Sequence, residues 1–125
     1  MTEKQVAIYE KIFYQFNEFH SELSVLSKKS PNDGVNKFKL KFANQLLTDA
    51  NELLRESHKP FEDFEVFDVD DVPTNSDVVL IFSQYITCLE KLKYDFVQMV
   101  NNEWQWVTED NKNIKTARPS LNRRF

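Results

Sequence analysis

Apolar positions recur at helical spacing over three long stretches of this chain. In the first, Tyr9, Ile12, Phe16, Phe19, Leu23 and Leu26 step by 3, 4, 3, 4, 3, which gathers them on one helical face. Val6, Ile8 and Phe13 widen that face. Thr2, with Gln5 three residues on, has the pattern of an N-terminal capping box. Lys28 and Lys29 suit a helix C-terminus, and the run SPNDG then breaks it.

The second stretch can be capped by Asn32 or Asp33 and carries the stripe Val35, Phe38, Phe42, Leu46, Ala50 and Leu53. Ala43, Leu47 and Leu54 lie beside it, and it ends before Pro60, because a proline pushes the preceding residue out of helical geometry. The third opens with Thr74 and Asp77 as a cap, and Phe82, Tyr85, Leu89, Leu92, Phe96 and Met99 again step by 3, 4, 3, 4, 3. Beyond it the period changes. Trp104, Trp106 and Thr108 alternate, which fits a short strand or hairpin as well as a helix end.

Helices over residues 3–28, 34–57 and 75–103 predict an all-α fold, an antiparallel bundle of three long helices with an acidic irregular connection and a basic C-terminal tail. The helical domain is expected over 1–107, with the acidic connection at 60–73, and the tail over 108–125. Phe16, Phe42, Leu46, Leu89 and Phe96 are the expected core.

Composition narrows the function classes. At 125 residues the chain fits one domain, and 41% hydrophobic with 29% charged residues is a globular balance. One glycine, Gly34, excludes both a phosphate-cradling Walker loop and a dinucleotide fingerprint, which need two and three. One cysteine, Cys88, excludes an internal disulfide; with no signal-like start after Met1, an intracellular, cytoplasmic location is expected. No apolar run approaches the about 20 residues of a membrane span, so no membrane partner is expected.

Charge is unevenly spread. Residues 1–61 hold nine basic and eight acidic groups, residues 62–110 two and twelve, and residues 111–125 five and none. Six of the ten residues from Glu62 to Asp71 are acidic, with Phe61, Phe64, Val66, Phe67, Val69 and Val72 among and beside them. No single helical or strand face takes all these apolar groups. Two readings follow: the apolar groups tuck onto the body while the acids stay in water, or part of the set docks on another protein and the carboxylates steer it there.

Catalytic constellations find little support. Glu18, His20 and Glu22 are spaced by two, as are Glu56 and His58, so a helix turns them to different faces and no metal site is expected. Nothing local sets a serine or threonine against either histidine as a nucleophile–base pair. Asp68 and Asp70 begin like a calcium loop, but Pro73 and Val79 stand where its glycine and glutamate belong. Cys88 has only Lys91 nearby to activate it.

The expected function is therefore a non-enzymatic protein–protein interaction module, a helical subunit, adaptor or inhibitor that acts by binding and occlusion without a cofactor. Phe64, Phe67, Asp68, Asp70, Asp71, Trp104 and Trp106 are the candidate contact residues, and the partner is another protein or a second copy. The alternative is nucleic-acid association through the basic tail, Lys112, Lys115, Arg118, Arg123 and Arg124, or an acidic nucleic-acid mimic.

Overall fold

The computed structural model describes residues 1–120. Three helices, α1 (Glu3–Lys29), α2 (Lys37–His58) and α3 (Asn75–Phe96), are followed by strands β1 (Val97–Val100), β2 (Glu103–Trp106) and β3 (Ile114–Lys115). The helices pack on one another pairwise, and the strands form one antiparallel sheet in the order β1-β2-β3. The fold is thus mostly helical but not all-α. No helix among the described residues is long and apolar enough to cross a membrane.

Helix α1 forms as its pattern predicts. Thr2 Oγ1 accepts from the Gln5 backbone N–H at 3.1 Å, and Gln5 Oε1 accepts from that of Thr2 at 2.9 Å. These bonds satisfy two donors that a helix start leaves unpaired. Val6, Tyr9, Ile12, Phe16, Phe19 and Leu23 are buried, while Leu26 reaches the surface.

Helix α2 departs from expectation in phase. Its cap is Asn36, whose side chain accepts from the Lys39 N–H at 2.8 Å, so it starts later than residue 34. Leu40, Ala43, Leu47, Ala50 and Leu54 centre its buried face, flanked by Leu46 and Leu53. Phe38 and Phe42 lie outside that centre, with 84% and 40% of their surface exposed. Phe42 is therefore not a core residue. Both phases have a 3–4 period, and the small and aliphatic one allows closer packing of the helices.

Helix α3 starts at its predicted capping box: Thr74 Oγ1 accepts from Asp77 N–H and Asp77 Oδ2 from Thr74 N–H, both at 3.2 Å. It stops at Phe96, well short of residue 103. Val97 is extended, and Asn101 and Asn102 take positive φ of 50° and 65°. Asparagine tolerates that region, and two such residues make a tight hairpin whose twist matches its strands. Val97 then pairs with Trp106 and Met99 with Trp104. Met99, the last predicted stripe position, is exposed, and Phe96 is half-buried against the core's edge.

The exit of the acidic connection crosses the α1–α2 turn. Val35 N–H donates to Pro73 O at 2.9 Å and Asn75 N–H to Asp33 O at 2.9 Å. A Cβ on Gly34 would stand 2.6 Å from Val72 Cγ1, which explains the chain's one glycine. Val72 itself is left-handed, with φ 47° and ψ 66°. A β-branched residue is strained there, at a cost of about 1–2 kcal/mol. Val72 is also exposed, so little packing offsets the strain. Val72→Asn is expected to raise stability by about 1 kcal/mol in urea unfolding; a loss of stability would mean that Val72 contributes packing not visible in its exposure.

Candidate functional site

Three mutually packed helices leave three surface grooves, and the chain itself fills two. The acidic connection lies over α2 and α3. Asn44 holds Phe67 at both backbone positions, through Oδ1 to N–H and Nδ2 to O, each at 2.9 Å. Asn51 Nδ2 donates to Glu65 O at 2.9 Å and accepts on Oδ1 from Tyr85 O–H at 2.6 Å. Burial of Tyr85 pushes its phenol up to about 12, so it remains a donor.

Phe61, Phe64 and Phe67 form an edge-to-face series at 6.2 and 5.1 Å, and Phe64 meets Tyr85 at 6.3 Å. All three are half-buried against the core. Asp68, Asp70 and Asp71 are exposed around a short 3₁₀ turn, with Asp68 Oδ1 accepting from Asp70 N–H at 2.9 Å. The phenylalanines are spent on the protein's own body, and Val66, Val69 and Val72 are the apolar groups left outside.

The sheet and the segment after it lie over α1 and α3. Trp106, expected as a contact residue, is only 2% exposed. Its indole sits edge-on to Tyr9 at 5.0 Å and donates to Glu10 Oε1 at 2.9 Å. It is a core residue, buried because the hairpin folds back onto α1. Trp104 is half-buried on the sheet.

Thr116 N–H donates to Trp104 O at 3.0 Å, and Thr116 Oγ1 to Glu10 Oε1 at 2.8 Å. Lys115 pairs with Glu103 at 3.2 Å, Lys112 is exposed and Arg118 lies beside α1. Arg123 and Arg124 lie outside the described residues.

The third groove, between α1 and α2, has nothing of the chain across it among the described residues. Phe38, Phe42 and Tyr14 stand at its rim, Tyr14 with 67% of its surface exposed, and Phe19 is its floor. Its volume is about 430 Å³. Glu18 and Glu22 run along the α1 wall and Lys39 lies on the α2 wall. Lys41, exposed, shares the outer face of Phe38 and Phe42 by helical spacing. The sequence carried this signal in Phe38 and Phe42, four apart with Lys41 between them, although both read as core.

No family model, curated protein or solved structure matches this chain. Its chemistry is therefore read from geometry alone.

One constellation escaped the sequence. Ser57 Oγ is 2.9 Å from His58 Nδ1, and His58 Nε2 is 2.8 Å from Asp95 Oδ2. The order resembles a nucleophile–base–acid relay. Asp95 is shared, however: Oδ1 accepts from Lys91 Nζ at 2.9 Å. Burial would raise the Asp95 pKa, but the hydrogen bonds from His58 and Lys91 hold it below the usual carboxylate value. Asp95 thus holds both His58 and Lys91, and the array ties the ends of α2 and α3 together. His20 is half-buried on α1, and burial pushes its pKa down. Burial likewise pushes the Cys88 thiol up, away from the reactive thiolate.

Proposed function

We propose that this chain is a non-enzymatic protein–protein interaction module whose docking face is the α1–α2 groove and whose partner there is a second copy of itself. The observation that carries this reading is the open groove, with Phe38 84% exposed beside Tyr14 and Phe42. Clustered exposed aromatics on a small domain mark an interface.

Charge favours a second copy. The α1 wall is acidic, with Glu18 and Glu22, and the α2 wall carries Lys39, with Lys41 on the outer side of Phe38. A two-fold axis running along the helices sets α1 of each copy over α2 of the other, so unlike charges meet twice. An axis across the helices would set Glu18 and Glu22 against their own copies. The acidic connection, on another side of the body, has a complementary part in this reading. Among the described residues Glu62, Asp63, Asp68, Asp70 and Asp71 have no ion pair, and their shared charge disfavours pairing by that face.

Sedimentation of the full chain tests the reading. The parent is expected to dimerise with rising concentration, and Phe38→Ser with Phe42→Ser to weaken dimerisation by about a hundredfold or more, as loss of two central anchors does. Phe38 is 84% exposed, so Phe38→Ser alone leaves the core untouched, whereas Phe42 also packs on the buried Phe19 ring. A parent that stays monomeric at millimolar concentration would overturn the reading.

A further inference from the structure

A second cavity lies between α1 and α3, under the segment that follows β3. It holds about 380 Å³, within the range of small-ligand sites. Phe13 and Tyr14 of α1, Lys93 of α3 and Arg118 of the C-terminal segment line it.

Lys93 is only 8% exposed, yet no carboxylate lies within ion-pair distance of its Nζ among the described residues. Lys93 is one of the residues that line the cavity. Its stem is buried, and its ammonium stands 5.7 Å from the centre of the Trp106 ring. The nearby Glu10 carboxylate is already engaged by the Trp106 and Thr116 donors. Burial pushes the Lys93 pKa down, with Glu10 opposing it, and pushes that of Glu90, also on the cavity wall, up. The Lys93 side chain is largely buried with no salt bridge among the described residues, and an anion entering the cavity would give its ammonium a direct partner.

We propose that this cavity binds a small aromatic carboxylate, its anion received by Lys93 and Arg118 and its ring laid against Phe13 and Tyr14. The charge assignment follows from the two cations, and the flat apolar body from the aromatic wall. Burial, which raises the Glu90 pKa, works against a full negative charge on that wall. Tyr14 borders both this cavity and the α1–α2 groove, while Lys93 and Arg118 line this cavity alone.

The test is a titration of the full chain with phenylacetate, followed by amide NMR. Saturable shifts are expected over residues 9–17 and 90–93. Lys93→Met, which keeps the buried stem, and Arg118→Gln, at an exposed position, should each weaken binding about tenfold, as loss of a charged hydrogen bond does. Neutral phenylacetamide should bind at least about tenfold more weakly than phenylacetate to the parent. The proposal is overturned if the parent shows no saturable shift at about 10 mM phenylacetate, far above the range of a specific site. Unchanged affinity in both variants would overturn it equally, and binding of inorganic phosphate as tight as that of phenylacetate would remove the aromatic ligand class.

Discussion

Trp106→Ala is expected to destabilise the protein by about 3–5 kcal/mol, the usual range for a buried aromatic. The loss has several parts. Trp106 is 2% exposed and contacts Tyr9 edge-to-face at 5.0 Å. Its Nε1–H satisfies Glu10, and its ring carries the ammonium of Lys93. It also pairs with Val97 on one side and Ile114 on the other, so it joins all three strands to α1. Removing it leaves a cavity and loosens the seat of the sheet. Against the about 5–15 kcal/mol that a domain commonly has, this is a large share. Trp104→Ala, at a half-buried position, is expected to cost less. Urea unfolding of both variants checks the contrast, and a Trp106→Ala cost under about 0.5 kcal/mol would place the indole at the surface.

The second large effect is expected from charge reversal across the α1–α2 face. Glu18→Lys with Glu22→Lys puts lysines on α1 opposite Lys39 of the facing copy, with Lys41 at the rim. Two like-charge contacts then replace two unlike ones, at a cost of several kcal/mol when partly desolvated. Lys39→Glu with Lys41→Glu does the same with opposite sign. Each variant alone should remain monomeric at concentrations where the parent is a dimer. Raised salt should narrow the difference, since exposed charges are screened beyond about 8 Å at physiological ionic strength.

Much of the helical body was legible because local signals and burial agree there. The Thr2–Gln5 and Thr74–Asp77 caps form as their spacing implies, and the α1 stripe is buried as far as Leu23. The connection was legible in part. Its broken periodicity pointed to an irregular path with acids outward, but Phe64 and Phe67, expected as partner contacts, lie half-buried against the core with Phe61.

The end of α3 was not legible, since two periods overlap between Phe96 and Trp106. Phe96 and Met99 continue the helical stripe, while Val97, Val100, Trp104 and Trp106 suit strands. The Asn101–Asn102 turn and the burial of Trp106 against Tyr9 decide between them. In α2, two faces of the same period compete, and the choice depends on how closely α1 and α3 approach. That choice turns Phe38 outward and creates the candidate docking face. The Ser57–His58–Asp95 array needs a contact across 37 positions, which no local pattern carries.

Mixing the two charge-reversed proteins tests the central claim most directly. In the mixed pair, lysines at 18 and 22 of one copy meet glutamates at 39 and 41 of the other, and the native acids of the second copy meet the native lysines of the first. Sedimentation of the equimolar mixture should therefore recover a dimer at the concentration where the parent forms one, although neither variant does so alone. A mixture that sediments as two monomers would contradict pairing of α1 over α2 and, with it, the docking face proposed for this protein.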